Sequence, residues 1–137
     1  MSLVVDTNIL VYFILKSEPF FKPSRSFLDI ENELIAPDIW RPEFLNAMWL
    51  ACQSNAIGGQ EALDYLQLVT NMITRTVSSD KLWLDAIHLA IEARQPPYDT
   101  LFVALAEREN TVLVTFDQRI LNLFPDIAKT PGEMLRK

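Results

Sequence analysis

Apolar residues run along this chain in two rhythms. Short unbroken runs at 3–5, 34–36 and 112–114 are bounded by polar residues, while longer stretches repeat an apolar position every three or four residues. The first rhythm predicts strands covered on both faces, and the second predicts amphipathic helices. A strand at 3–5 ends in Asp6 and passes at once into a helix at 9–15, with Thr7 or Asn8 placed to cap it. Residues 16–23 carry two prolines and read as a loop, after which Ser24 is placed to cap a short helix reaching Ile30. A second strand follows at 33–36. Pro37 and Pro42 bracket the start of a longer helix with apolar positions at Trp40, Phe44, Ala47, Met48 and Ala51, since proline is tolerated only in a first turn.

Gly58-Gly59 closes that helix, and helical spacing resumes over 62–73. A third strand at 75–77 enters a Ser78-Ser79-Asp80 cap and a helix at 83–91, which the Pro96-Pro97 pair brings to an end. Residues 101–106 are six apolar positions in a row, predicting a helix buried on most sides with Asp99 at its amino end. Asn110 suits its C-cap, and 111–115 predicts the clearest strand. A short helix at 118–123, a strand at 127–128 and a helix opened by Pro131 complete the pattern. Strands alternate with one or two helices throughout, which implies a single three-layer α/β domain over 1–137, with a parallel sheet between helices.

The chain has 137 residues, half of them hydrophobic, with three tryptophans and eight phenylalanines. Such a chain buries a sizeable core without disulfides, and some of the apolar excess is expected at an interface between copies. Cys52, the single cysteine, falls in an apolar helical pattern and implies a reducing setting. No basic segment precedes a long apolar one, so neither export nor membrane insertion is expected, and the cytoplasm is the default. The formal net charge of -6 argues against a grip on nucleic acid through bulk positive charge. It leaves room for a nuclease with acids gathered around a metal ion.

Asp6 and Asp117 lie just past strands, while Glu43 and Asp99 lie at the starts of apolar helices. Each alone is explained as a cap or a first-turn acid complementing the helix dipole. Asp38, Asp80 and Glu133 occupy element ends of the same kind and read as purely structural. If the four meet at one sheet edge they require a cation, because clustered like charges in a partly dry pocket repel. Oxygen-only ligation selects Mg²⁺ or Mn²⁺, and such ions stabilise both the attacking and the leaving oxygens in phosphodiester hydrolysis.

Asp6-Thr7-Asn8 after a strand, Glu43 on an early helix, 98–106 with Asp99, and Val114-Thr115-Phe116-Asp117 together resemble the motifs of the PIN-domain ribonucleases, in order and over essentially the whole chain. The resemblance implies a five-stranded parallel sheet and Mg²⁺- or Mn²⁺-dependent RNA cleavage. It also implies a metal site of Asp6, Glu43, Asp99 and Asp117, supported by hydrogen bonds from Asn8 and Thr115. Glu31 and Glu33 are nearby alternatives to Glu43. Compact domains of this type look most like VapC-type toxins, which implies a homodimer silenced by an antitoxin protein.

Arg41 and Arg119, each two residues from one of the four acids, suit either RNA phosphates or local charge balance. His88 lies outside every motif and reads as a surface or structural residue. Trp40 is expected in the core, and the Phe20-Phe21 pair at an interface. A phosphatase of the haloacid dehalogenase type would need an Asp where Asn8 stands, and a receiver domain would need a mid-chain strand ending in a phospho-accepting Asp. A catalytically silent PIN-like scaffold is the remaining alternative, and the presence of all four acids weighs against it.

Overall fold

The computed structural model describes residues 2–30 and 32–136. The chain forms β1 (Ser2–Val5), α1 (Thr7–Leu15), α2 (Phe21–Leu28), β2 (Glu33–Pro37), α3 (Trp40–Gln53), α4 (Gly59–Met72) and β3 (Arg75–Val77). After a 3₁₀ turn at Ser79–Lys81 come α5 (Trp83–Ala93), α6 (Pro97–Arg108), β4 (Leu113–Val114), α7 (Gln118–Leu123), β5 (Ala128–Lys129) and α8 (Pro131–Leu135). The five strands align in the order β3-β2-β1-β4-β5, all parallel. The expected five-stranded parallel α/β architecture is therefore present.

β1 sits at the centre of the sheet. Leu3 and Val4 pair with Leu34 and Ile35 on one side, while Val4 and Val5 pair with Leu113 and Val114 on the other. Both faces are covered, and Leu3, Val4 and Val5 are all buried, which is why the run is continuously apolar rather than alternating. From β1 the chain first builds outward through β2 and β3, then returns through α5 and α6 to place β4 on β1's free side. The β1/β4 boundary is thus the switch point of the sheet, where loops at the carboxyl ends diverge and leave a crevice.

The helix predicted as buried on most sides is α6. Thr100 through Ala106 are all buried, and α6 packs on α5, β1, β2 and β4. Pro97 at its first position has no amide to leave unsatisfied. Beyond its end, Asn110 takes the left-handed conformation (φ 53°), one that asparagine tolerates better than most side chains. Thr100 donates from Oγ1 to the Ala86 carbonyl at 2.7 Å, fastening α6 to α5 one residue beyond Asp99.

Several local expectations shift. Asp6, not Thr7 or Asn8, caps α1, because Thr7 turns its hydroxyl to another partner. α2 starts at Phe21, ahead of Pro23, so Pro23 lies in a first turn; Ser24 is then buried inside the helix rather than capping it, and its hydroxyl has no partner among the described residues. β4 is paired only at Leu113–Val114, and β5 lies one residue later than its apolar pair suggested. The three presumed structural acids make structural bonds: Asp38 accepts from Ser79 across the chain, Asp80 accepts from Ser78, and Glu133 closes a capping box with Thr130. Among the described residues no helix is long and apolar enough to cross a membrane.

The Thr100 bond gives a direct test of how α6 is held. Thr100→Val keeps the shape but removes the donor, and should lower the stability from urea unfolding by about 1 kcal/mol; an unchanged midpoint would show that apolar packing alone fixes the helix.

Candidate active site

The carboxyl edge of the switch point gathers acids from four parts of the chain. Asp6 leaves β1 with its amide bonded to the Val114 carbonyl at 3.0 Å, so its backbone is fixed by the sheet. Its Oδ2 accepts from Thr115 Oγ1 at 2.6 Å, and its Oδ1 accepts from the Asn8 amide at 3.4 Å. Thr115 Oγ1 in turn accepts from the Asp117 amide at 3.0 Å. One buried hydroxyl therefore ties the end of β1 to the loop after β4. Asp117 caps α7, with Oδ1 accepting from the Arg119 and Ile120 amides at 2.9 and 3.3 Å.

Asp99 stands in the first turn of α6, yet no side chain caps that helix. A capping role therefore does not account for its position. Asp6, Asp99 and Asp117 line one narrow pocket with Phe102, Leu113, Thr115 and Ile120. Glu43, from the first turn of α3, stands at the border, close enough to feel the charges of Asp6 and Asp99. Its Oε1 accepts from Thr7 Oγ1 at 2.8 Å.

The pocket's electrostatics follow from this packing. Burial pushes the Asp6 carboxyl up from its ordinary value of 3.8 to about 6; the bonds from Thr115 and Asn8 pull it back, and the charges of Asp99 and Asp117 add to the rise. Glu43 is raised by burial first, against the pull of Thr7, with Asp6 and Asp99 adding to the shift. Asp99 is raised by burial and by Asp117, with Arg119 opposing. All three shifts have burial as their largest cause, with neighbouring acids adding to each. Among the described residues no three acidic, histidine or cysteine side chains close tightly enough around one point to hold an ion.

The remaining expected residues fall as follows. Asn8 reaches Asp6 through its backbone amide, while its exposed side chain makes no bond to the acids. Arg119 lies near Asp99, but Arg41 stacks over the Trp40 ring, 5.7 Å from its centre. Trp40 is buried as expected, donating from Nε1 to Thr76 Oγ1 at 3.0 Å. Glu33 accepts from Ser2 at the opposite, amino edge of the sheet, and Glu31 lies outside the described residues. His88 pairs with Glu92 on the exposed side of α5. The residue that pattern reading missed is Thr7: it passed as a possible cap, and only the folded arrangement brings its hydroxyl to Glu43, 36 positions away.

A parallel α/β domain with an acidic pocket at its switch point is the class that fold and site define. The chain belongs to the PIN domain family, whose sequence model matches residues 3–128. It is 26% identical over 127 residues to ribonuclease VapC3 of Pyrobaculum aerophilum, covering 91% of this chain and 96% of that one. Among solved structures, VapBC2 from Rickettsia felis, bound to a DNA fragment from its promoter, matches with a TM-score of 0.69 at 18% identity, over 95% of this chain and 98% of that one. VapBC-1 from nontypeable Haemophilus influenzae matches at 0.67 and 15% identity, over 96% and 99%. These two likenesses are likenesses of fold.

The raised Asp6 carboxyl fixes the sign of a pH effect. The folded protein holds that proton more tightly than the unfolded chain, so stability from this group is full below about pH 4 and declines as pH rises through about 6. Asp6→Asn removes the charge while keeping an acceptor, and should raise the metal-free melting temperature near neutral pH, by on the order of 2 kcal/mol of stability. Melting curves in EDTA from pH 4 to 8 check this; a variant less stable than wild type at pH 7 would mean that Asp6 is a net stabilising cap.

Proposed function

We propose that the protein is a metal-dependent ribonuclease, the toxin of a toxin-antitoxin pair, hydrolysing RNA phosphodiester bonds at the pocket of Asp6, Glu43, Asp99 and Asp117. The observation that carries this reading is Asp99: a carboxylate raised by burial and by Asp117, at the head of a buried helix that it does not cap. Its first-turn position complements the α6 dipole, yet burial beside other acids disfavours its charged form, and a cation is the simplest group that makes the arrangement favourable. Membership of the PIN domain family and the likeness to ribonuclease VapC3 point the same way.

The donors are all carboxylate oxygens, which fits Mg²⁺ or Mn²⁺. When bound, such an ion would lower the pKa of an attacking water and offset charge building on the phosphate. The chain's own residues supply the rest. Thr115 and Thr7 hold one oxygen each of Asp6 and Glu43, leaving Glu43 Oε2 turned to no donor among the described residues. Asp117 spends Oδ1 on the α7 amides and keeps Oδ2 for the pocket. Arg119, whose charge opposes the rise at Asp99, and Arg41 are read as contacts for RNA phosphates. Phe102, Leu113 and Ile120 form the apolar wall that limits water.

The partners proposed are RNA, an antitoxin and a second copy of the chain, in the cytoplasm. The solved VapBC-1 and VapBC2 structures support the antitoxin. Two exposed apolar faces support association: Leu84, Ile87 and Ile91 on α5, with Leu84 84% exposed, and Leu45, Trp49 and Leu50 on α3. Leu45 and Trp49 border a groove of about 520 Å³ shared with α4.

Purified protein should cleave RNA in Mg²⁺ or Mn²⁺ and stop in EDTA. Asp99→Asn should lower cleavage about 100-fold or more and remove most of the Mn²⁺-induced rise in melting temperature. Asp80→Asn, outside the pocket, should leave both intact. Cleavage that survives chelation, or an Asp99→Asn variant with wild-type metal response, would reject the shared metal site. Light scattering at micromolar concentration should give a dimer mass; a monomer across that range would assign the apolar faces to other partners.

A further inference from the structure

Tyr12 and Phe20 meet the sequence-distant Phe116, whose chain neighbours Thr115 and Asp117 line the acidic pocket. Tyr12 of α1 and Phe20 of the α1–α2 connection are stacked, with centroids 4.4 Å apart and planes 18° from parallel. Phe116 tilts against both, 4.9 Å from Phe20 and 5.8 Å from Tyr12. Phe116 is covalently flanked by Thr115 and Asp117, two residues of the pocket wall, and it packs against the core. The pKa of the Tyr12 hydroxyl is raised by burial first and then by the charges of Asp6 and Asp117.

All three rings keep part of their surface exposed, although Ile9, Leu10 and Ile14 on the same α1 are buried. The group is thus rooted in the core through Phe116 and extends outward through Tyr12 and Phe20, beside the acids. Its neighbours determine what suits it. Beside the acids, and with the cation of the proposed nuclease site offsetting their charge, the rings suit a ligand with a flat π-face on one end and a phosphate on the other. A nucleotide of a single strand has that form, and aromatic side chains are the usual platforms for unstacked bases.

We infer that Tyr12, Phe20 and Phe116 form a stacking subsite for a nucleobase adjoining the scissile phosphate of single-stranded RNA. This deepens the ribonuclease reading and rests on it. The subsite seats the strand by stacking rather than by charge, and it tolerates different bases because each has a π-face. Phe20, which lies between α1 and α2 and outside both helices, is the ring whose loss is tested with least damage to the fold.

The experiment takes a single-stranded RNA cleaved in Mn²⁺, maps its scissile bond, and compares it with strands made abasic on one or the other side of that bond. Phe20→Leu, which keeps apolar bulk, should raise KM on the intact strand roughly ten-fold, without moving the Mn²⁺ midpoint of thermal stabilisation. On one of the two abasic strands wild type should lose a similar factor, and Phe20→Leu should add no further loss. Phe20→Tyr should restore the intact-strand KM. A loss of equal size on intact and abasic strands would mean that the ring only anchors its loop, and an unchanged KM would also overturn the subsite. A second measurement needs no cleavage: 2-aminopurine placed along the strand should be quenched by wild type at one position, with the quenching lost in Phe20→Leu. Quenching without cleavage would keep the subsite while rejecting the nuclease reading; absence of quenching at every position would reject the subsite itself.

Discussion

The placement of β1 governs the molecule. A strand paired on both sides and covered on both faces has no freedom to shift, so the residue that leaves it is delivered to one point. Asp6 is that residue, and its amide is still held by Val114. Its carboxylate cannot withdraw from the pocket without breaking the sheet edge. The same sheet brings the loop after β4 alongside, and α6, buried along most of its length, carries Asp99 to the same rim. The crowding of acids is therefore a consequence of backbone packing that the side chains cannot relax away.

That crowding opposes stability and serves chemistry. Burial is the largest cause of the upward shift at Asp6, Glu43 and Asp99, with like charges adding to it. Hydrogen bonds from Thr115 and Thr7 offset part of this while fixing which oxygens remain available. Perturbed carboxylates held in fixed directions at a crevice are the usual accompaniment of a functional site. The threonines are as much a part of the arrangement as the acids, since each replaces a water with a donor that cannot leave.

A protein with a net charge of -6 has no excess of positive charge with which to attract a polyanion, so the proposed RNA substrate would have to be held by something other than a basic surface. The structure concentrates acidic side chains at one pocket, where the proposed cation would reverse the local sign, and neutral aromatic rings adjoin it. Two of its exposed apolar groups lie on α5 and further along α3, the helix whose first turn carries Glu43. Helix α3 thus contributes both an acid at the border of the pocket and an exposed apolar face.

Hydrophobic rhythm sufficed for the parallel α/β class and for most helices, because a doubly covered strand must be continuously apolar and an amphipathic helix must repeat near 3.6 residues. The runs at 3–5 and 101–106 carried β1 and α6, and the order of the acids carried the family resemblance. Pattern could not say that Ser24 would be swallowed by a helix starting before Pro23, since proline fits equally in a loop and a first turn. Nor could it separate Asp99, which caps nothing, from Asp80, which serves a local turn; both are acids at element starts, and only the surrounding charges and donors differ. Thr7 on Glu43, Thr115 on Asp6 and the meeting of Tyr12, Phe20 and Phe116 join positions far apart in the chain. Spacing along a sequence holds no record of such meetings; the strand order β3-β2-β1-β4-β5, which turns neighbours in space into strangers in sequence, decides them.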